Sequence, residues 1–282
     1  MDILQKYNFS FPTAIRFGVG VISELPDYLK QNQLNRPLLV TDPIVKELDF
    51  FKKIVGQLSQ SGLSVEVFSD VHKNPVIGGD KYVTEPIPPF VTVPTTSGTG
   101  SEVGRSAIIS EDESKKKRIL FAPTLMAKIV FADPELTMDL PAFVTAATGM
   151  DALTHNIEAY LSKNWNPMCS GIALEGIKLI GESIETATLK PDLEARSKML
   201  MASMMGAIAF QKGLGIVHSL AHPLSSLLDT HHGLANAINL PYGLEFNYEG
   251  FEDRYEQMGL MVGLKQGDGK KIIQYISDLN ET

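Results

Sequence analysis

The apolar pattern of this chain changes near residue 140, and this change limits the folds available to it. Before that point, short β-branched runs occur at residues 37–41, 64–68, 90–94, 105–110 and 128–131. Between the first two runs, residues 44–58 carry apolar side chains at helical spacing. Strand, helix and strand in this order are typical of a parallel α/β sheet.

After residue 140 the pattern is helical. Segments rich in Ala, Leu, Met, Ile and Glu predict helices over residues 141–163, 169–186, 193–210, 217–228, 253–263 and 268–279. Pro141 suits the first position of a helix, because that position needs no backbone N–H. We therefore predict an α/β domain over residues 1–140 and an all-helical domain over residues 141–282.

The bulk composition excludes several classes of protein. A net charge of −8 argues against a non-specific nucleic-acid binder. No run of roughly 18 apolar residues is present to span a membrane, and the N-terminus lacks the basic and apolar regions of a secretory signal. The single cysteine, Cys169, fits a reducing compartment and is expected to be a packing residue. We therefore expect a soluble, cytoplasmic protein.

An ionisable pair lies in the middle of a mostly apolar, helical pattern over residues 144–161. Asp151 and His155 are four residues apart, so a helix would place them on one face. A buried charge is costly unless it is paired or bound to a metal. Taken alone, this spacing favours a hydrogen-bonded Asp–His pair over a metal site.

A second group of histidines changes this interpretation. His218 and His222 are again four residues apart, and His231 and His232 follow shortly after them. Four histidines so close together are hard to explain as independently hydrogen-bonded core residues. One carboxylate with several imidazoles on facing helices favours a divalent transition-metal site, with a fourth histidine available for proton transfer. The spacing alone leaves open which histidines bind the metal.

Residues 94–102 follow a predicted strand and combine small hydroxyl side chains with glycines. Such a loop exposes backbone N–H groups and allows the close approach of an anion. The sequence from Thr99 to Glu102 also matches a helix-capping box. Both interpretations can hold together, because a well-capped helix N-terminus also attracts anions.

Two further polar features precede residue 140. Asp42 ends the first predicted strand, where it could accept hydrogen bonds from ribose hydroxyls, but on local sequence a helix cap is favoured. The charged residues 111–118 are flanked by the predicted strands at 105–110 and 128–131, and we interpret them as a solvated hairpin turn.

Several segments of the chain resemble the iron-containing (group III) alcohol dehydrogenases. These segments are residues 17–20, 40–42, 94–102, 132–134, 149–160 and 213–247. The last two are highly specific for the family. The resemblance implies a Rossmann-like, nucleotide-binding α/β domain joined to an all-helical metal-binding domain, with the active site in the cleft between them.

The resemblance also implies roles for individual residues. The metal ligands would be Asp151, His155, His218 and His232. The cofactor contacts would be Asp42, Thr95, Thr96, Thr99 and, on a looser match, Lys117. His222 would be a catalytic residue that assists proton movement near the nicotinamide, whereas the resemblance gives His231 no role.

The implied reaction is hydride transfer between NAD and a small primary alcohol or diol, or the corresponding aldehyde. Fe²⁺ is the family's usual metal, and Zn²⁺ suits the same ligands. The metal would lower the pKa of the alcohol, whose carbon then delivers hydride to the nicotinamide. Asp42 at the adenosine ribose would favour NAD, because it would repel a 2′-phosphate. A homo-oligomer, a dimer or larger, is also expected.

The chain departs from the family before Pro94. The family carries a glycine-rich, phosphate-binding loop there, whereas residues 74–81 contain only the pair Gly78-Gly79. Either the chain is truly shortened and binds the pyrophosphate poorly, or residues are missing from the numbered sequence. We favour the second explanation, because loss of a central strand would leave a hole in the sheet. It predicts a Cα–Cα distance far above about 3.8 Å between Val76 and Ile77.

Other functions fit parts of the sequence. A zinc polyol dehydrogenase or a dehydroquinate-synthase-like lyase would belong to the same superfamily, but the pattern with His232-Gly233 favours the iron group. A metallohydrolase could use the same ligands to activate water, although residues 94–102 argue against it. A non-catalytic, metal-binding chain would follow if the phosphate loop is truly deleted.

Overall fold

The computed structural model describes residues 13–71, 87–110, 117–228 and 230–281. Within them the strands are β1 (Ala14–Phe17), β2 (Leu38–Val40), β3 (Glu66–Phe68), β4 (Val91–Thr92), β5 (Ser106–Ser110), β6 (Lys117–Phe121) and β7 (Ile129–Ala132). The α-helices are α1 (Leu25–Gln31), α2 (Asp49–Gln60), α3 (Ala142–Leu161), α4 (Pro167–Leu189), α5 (Leu193–Ala209), α6 (Ile216–Leu228), α7 (His232–Asn247), α8 (Glu252–Met261) and α9 (Ile272–Glu281). Strands before residue 133 and helices from α3 onward follow the order that the apolar pattern predicts.

The described strands form three small sheets. β7 lies between β1 and β4 and pairs with both in parallel, so that Ile129 is opposite Ala14 on one side and Val91 on the other. β2 pairs with β3 in parallel, and β5 pairs with β6 antiparallel. β7 is buried along its whole length, as expected for an apolar strand between two parallel neighbours.

The hairpin interpretation needs a correction. The strand predicted at residues 105–110 pairs with β6, whereas the strand predicted at residues 128–131 belongs to the parallel sheet with β1 and β4. Lys117 and Arg118, the last two residues of the turn predicted over 111–118, belong to β6. Residues 111–116 lie outside the described residues, as does the break that we predict between Val76 and Ile77. The turn and the break both stay predictions.

The helix predicted over residues 44–58 is interrupted near its start. A 3₁₀ turn at Val45–Glu47 precedes Leu48, whose ψ of 145° is extended, and α2 then runs from Asp49. Phe51, Ile54 and Leu58 form its buried face. The apolar spacing therefore identifies the helix but not the irregular turn that begins the segment.

α3 is the central helix of the second half of the chain. All its residues from Gly149 to Leu161 are buried, against α4, α5 and α7. A helix that is buried on all sides keeps Asp151 and His155 away from water. Cys169 on α4 is buried in the same core, as expected for a packing residue.

α7 is not predicted by the apolar pattern. It contains Gly233, Pro241 and Gly243, residues that weaken an isolated helix. The glycines allow close packing: a Cβ added to Gly243 would lie 2.5 Å from Cγ2 of Val217 on α6. Contacts with α3 and α6 therefore outweigh the local preference of this segment.

No single helix among the described residues is both long and apolar enough to cross a bilayer. One pair, Leu193–Lys212 with Ile216–Leu228, meets those requirements of length and composition jointly, but it is bent by 108°.

Candidate metal centre and cofactor cleft

Three helices bring the predicted metal ligands together. Asp151 and His155 are one turn apart on α3, His218 lies near the start of α6, and His232 is the first residue of α7. The Nε2 atoms of His155, His218 and His232 lie 3.6, 3.8 and 3.6 Å from Asp151 Oδ1. His155 Nε2 and His218 Nε2 are 3.3 Å apart. Four potential ligand atoms from distant segments thus converge on one small volume.

The chemistry of this cluster fits a divalent transition metal. Imidazole nitrogens with one carboxylate oxygen are ligands that Fe²⁺ and Zn²⁺ accept. Asp151, His155 and His218 are buried, and a buried carboxylate is costly without a nearby cation. The His232 side chain is 29% exposed. A bound ion would therefore be enclosed by α3 and α6 and accessible from the side of His232.

Burial governs the ionisation of the cluster. It lowers the pKa of His155 to about 4, despite the opposing charge of Asp151, so this ring is neutral at pH 7. Burial alone would raise the pKa of Asp151, but the charges of the three histidines and a hydrogen bond from Thr99 hold it below its usual value. Asp151 and His155 are therefore already deprotonated at neutral pH, as metal binding requires.

Two polar side chains hold the Asp151 carboxylate in place. Thr99 Oγ1 donates to Asp151 Oδ2 at 2.9 Å, and Asn236 Nδ2 donates to Asp151 Oδ1 at 2.7 Å. Asn236 Nδ2 also lies 3.3 Å from His218 Nε2 and 3.2 Å from His232 Nε2. Because both carboxylate oxygens accept a hydrogen bond, the orientation of this ligand is fixed.

A cavity of about 520 Å³ extends from the metal ligands to the end of β2. Its lining includes Asp151, His232, Val40 and, from the predicted anion-binding loop, Thr95, Thr96 and Thr99. Its volume is typical of a site for a small molecule or part of a cofactor. The arrangement therefore joins a metal-ligand cluster to a cleft at the carboxyl end of a parallel strand, where α/β proteins commonly bind nucleotides.

The sequence of this chain is similar to those of known proteins. Residues 12–79 and 76–134 match the family described as iron-containing alcohol dehydrogenase, and residues 145–282 match the C-terminal part of the Fe-containing alcohol dehydrogenase family. The chain is also 36% identical to 4-hydroxybutyrate dehydrogenase of Cupriavidus necator, over 95% of this chain and 84% of that protein. The chain belongs to the iron-containing alcohol dehydrogenase family.

Other members extend the match to structure. 1,3-Propanediol dehydrogenase of Klebsiella pneumoniae is 33% identical over 90% of this chain and 80% of its own length. The crystal structure of a 1,3-propanediol oxidoreductase superposes with a TM-score of 0.91, at 30% identity over 98% of this chain and 87% of that one. The crystal structure of sulfoacetaldehyde reductase from Bifidobacterium kashiwanohense, in complex with NAD+, superposes with a TM-score of 0.87. The two sequences are 25% identical, over 98% of this chain and 86% of that one. The predicted fold class and the prediction of a metal- and NAD-dependent alcohol dehydrogenase are confirmed.

The family match is interrupted where the glycine-rich loop is missing from the sequence. The two matched ranges, 12–79 and 76–134, overlap at residues 76–79. The alignment with the Cupriavidus necator relative runs over 327 positions, more than the 282 residues of this chain. Relatives therefore carry residues that have no counterpart here, and the interruption lies where the sequence departs from the family.

The remaining predicted cofactor contacts lie at two other places. Asp42 follows β2, and its Oδ1 accepts the N–H of Ile44 at 2.7 Å and that of Val45 at 3.0 Å. The N-cap of the following 3₁₀ turn is Ile44, so Asp42 binds the start of this turn without being the helix N-cap that the local sequence favours. Lys117 is the first residue of β6, opposite Ser110. Contacts of Asp42 and Lys117 with a cofactor stay predictions.

The capping box predicted from Thr99 to Glu102 is wrong. Ser101–Val103 is a short 3₁₀ turn whose N-cap is Gly100, at a φ of 67° and without a side-chain cap. The Thr99 hydroxyl donates to Asp151 instead. Glycine is needed at position 100, because a Cβ there would collide with the carbonyl oxygen of Ser203 on α5.

Two other histidines border the metal ligands. The His222 ring is 5.4 Å from that of His232 and 6.1 Å from that of His218, between centroids. His231 lines the cavity, and its ring meets Phe143 edge-on at 5.9 Å. His222 is therefore close enough to act beside the ligands, whereas His231 forms part of the cavity wall.

Two polar residues of this site, Glu158 and Asn236, are not predicted from the sequence. Glu158 Oε2 lies 2.6 Å from His218 Nδ1, and Asn236 contacts three ligands. Glu158 follows Asp151 two turns later on α3, and Asn236 follows His232 one turn later on α7. The same helical spacing that identifies the ligands could have found both residues.

Glu102 lines the cavity, and the pKa of its carboxyl group is raised. Burial raises its pKa to about 7, against the opposite effect of a backbone hydrogen bond, and its buried Oε1 has no hydrogen-bond partner among the described residues. A pKa raised in the folded state contributes stability below about pH 4.5, and this contribution is lost as the pH rises through 7.

For Glu102→Gln we expect a free energy of unfolding that depends less on pH than that of wild type. Relative to wild type, the metal-free variant should gain about 2 kcal/mol in free energy of unfolding between pH 5 and pH 8. Urea unfolding at both pH values measures the difference. Glu135→Gln, which changes an exposed carboxylate, is the control and should show no such gain. A parallel pH dependence of wild type and Glu102→Gln would contradict the prediction.

Proposed function

We propose that this chain oxidises small primary alcohols or diols with NAD, and reduces the corresponding aldehydes in the reverse direction. The observation that carries the proposal is the connection between the four ligands and the cavity. His232, the most accessible ligand, lines the same cavity as Thr95 and Thr96. A substrate at the metal and a nicotinamide in this cleft would then be neighbours, as hydride transfer requires.

Asp151, His155, His218 and His232 would hold the metal. When bound, a divalent ion supplies a Lewis acid that lowers the pKa of an alcohol hydroxyl, and NAD supplies the hydride acceptor. The chain's own contribution is to fix the ligands: Thr99 and Asn236 orient Asp151, and burial keeps His155 neutral. These contacts support a preorganised site.

The other residues would bind the cofactor and handle the proton. We assign Thr95, Thr96 and Thr99 to cofactor contacts along the cavity, with Thr99 also bonded to Asp151. Asp42, beside the end of β2, would bind the ribose, and Lys117 would be a further contact. His222 would accept or return the proton of the alcohol, supported by its position beside His232 and His218.

The substrate class follows from the chemistry of the relatives' substrates. 1,3-Propanediol and 4-hydroxybutyrate each carry a primary hydroxyl on a short chain with a second polar group. We assign the same class to this chain. The hydroxyl groups of Thr148 and Ser101, which also line the cavity, support it by offering hydrogen bonds to a second polar group.

We further propose a division into an α/β domain over residues 1–140 and a helical domain over residues 141–282, a cytoplasmic location, and a homodimer or larger homo-oligomer. An exposed apolar stripe on α7 supports association: Ile238, Tyr242 and Phe246 are four residues apart and 52%, 72% and 74% exposed. Size-exclusion chromatography with light scattering tests the oligomer, and a monomeric mass at micromolar concentration would refute it.

An NAD-linked assay tests the proposed activity. With Fe²⁺ added, 1,3-propanediol, 4-hydroxybutyrate and ethanol should yield NADH, followed by its absorbance. A chelator should abolish the rate, and Fe²⁺ or Zn²⁺ should restore it, because the cluster has the ligand chemistry of either ion. Metal analysis of the same sample provides the control. Absence of turnover by metal-loaded protein, with alcohols or aldehydes and with either NAD or its phosphorylated form, would refute the proposal.

A further inference from the structure

Glu158 connects a metal ligand to the start of a helix. Its side chain is buried on α3, where only 5% of the residue is exposed. Oε1 accepts the N–H of Val217 at 2.7 Å, Oε2 accepts that of Gly215 at 2.9 Å, and Oε2 also lies 2.6 Å from His218 Nδ1. One carboxylate therefore binds both the entry to α6 and the histidine that this entry presents.

These contacts determine which nitrogen of His218 carries a proton. Both Glu158 oxygens accept a backbone N–H, and a carboxylate oxygen that accepts in this way is best matched by a donor, so the ring donates from Nδ1 across the 2.6 Å contact. In the neutral ring, Nε2 then carries no proton, and it lies 3.3 Å from both His155 Nε2 and Asn236 Nδ2 and 3.8 Å from Asp151 Oδ1.

The backbone at the entry to α6 is shaped around this carboxylate. A Cβ added to Gly215 would lie 2.6 Å from Glu158 Oε1, so any larger residue would displace the side chain. The preceding Gly213 has a φ of 126°, and Ser162 Oγ donates to the carbonyl of the adjacent Lys212 at 2.7 Å. The loop before α6 is thus bonded to α3 at two places, at Glu158 and at Ser162 just after the end of the helix.

We propose that Glu158 is a positioning residue of the metal centre, which holds His218 in the tautomer that binds metal through Nε2. The proposal rests on the metal site of the proposed function but not on its substrate. Outer partners of this kind orient metal-binding imidazoles and strengthen the ligand. Glu158 itself is not among the described residues that line the cavity with Thr95 and Thr96.

Glu158→Gln tests the role of the carboxylate with little change in size. The glutamine oxygen can still accept a backbone N–H, but its amide group would donate to His218 Nδ1 and move the ring proton to Nε2, where it opposes metal binding. We expect Co²⁺, measured by calorimetry on metal-free protein, to bind about 10- to 100-fold more weakly than in wild type.

Glu256→Gln is the matched control. Glu256 also accepts two backbone N–H groups, those of Gly267 at 2.6 Å and Gly269 at 3.0 Å, but it lies on α8 and no histidine contact is described for it. This variant should bind Co²⁺ as wild type does. Gly215→Ala, which displaces the Glu158 carboxylate without removing its charge, should weaken binding in the same direction and serves if Glu158→Gln does not fold.

A double-mutant cycle separates this role from a general structural one. If Glu158 acts through His218, adding Glu158→Gln to His218→Ala should change the Co²⁺ affinity by less than about 3-fold. A further 10-fold loss in that background, or unchanged affinity in Glu158→Gln alone, would overturn the proposal. Failure of the wild type to bind Co²⁺ would overturn the metal site itself. Loss of alcohol turnover with intact Co²⁺ binding would refute only the proposed reaction.

Discussion

Replacing Asp151 with asparagine is expected to abolish tight metal binding and to reduce alcohol turnover by more than about 100-fold. Asp151 supplies the only carboxylate among the four proposed ligands, and its Oδ1 lies within 3.8 Å of the Nε2 atoms of the other three. Asparagine keeps the shape but removes the negative charge that offsets the charge of the ion. Elemental analysis of the purified variant measures the metal that remains.

Thermal unfolding gives a second measure of the same effect. Metal at 100 times its Kd stabilises a protein by about 2.7 kcal/mol, which for a chain of this size raises the Tm by roughly 5–10 °C. Wild type should show this shift, and Asp151→Asn should not. Asp192→Asn is the control, because Asp192 caps α5 by accepting the N–H of Ala195 and asparagine is an equally good cap. An Asp151→Asn protein that retains stoichiometric metal would refute this ligand assignment.

Gly233→Ala is expected to disrupt the same site through packing. A Cβ at this position would lie 2.6 Å from the carbonyl carbon of Ala147 and still closer to its oxygen. That carbonyl is rigid backbone of α3, so α7 would have to move away, and with it the adjacent ligand His232. We expect a loss of about 1–3 kcal/mol in free energy of unfolding, from overpacking. Metal affinity should fall as well, because His232 moves away from Asp151.

Urea unfolding and Co²⁺ calorimetry measure the two effects of this substitution. Gly171→Ala is the matched control: Gly171 lies on α4, where an added Cβ would have no atom of another described segment within 4 Å. That change should leave Co²⁺ affinity unaltered and raise stability by about 0.5–1 kcal/mol. Wild-type Co²⁺ affinity in Gly233→Ala would show that α7 can move without displacing His232, and would contradict the prediction.

The metal site is largely accessible from the sequence, because its spacing is helical. The pairs Asp151–His155 and His218–His222 are one turn apart on helices that the apolar pattern identifies, and the structure brings Asp151, His155 and His218 together. Which histidines bind the metal follows from the resemblance and not from the spacing, and for His232 the apolar pattern does not even predict the helix. Its helix, α7, contains Pro241 and two glycines, so local preference argues against a helix that only packing against α3 stabilises.

The contacts that orient the ligands are harder to predict. Thr99 is 52 residues from Asp151 in sequence, and its local pattern suggested a helix cap, a role that Gly100 takes instead. Asp42 shows the opposite case, because it binds backbone N–H groups only two and three positions later. Bonds within one turn of chain can be deduced from neighbouring residues, whereas a bond across the cleft depends on how the two halves pack.

The distribution of the site along the chain has an evolutionary consequence. The four proposed ligands and their partners Glu158 and Asn236 all lie on α3, α6 and α7, and Thr99 links them back to the first half. Substitutions in the first half of the chain can therefore be inherited without altering the ligand set. Selection could act on cofactor use and on metal chemistry as separate traits.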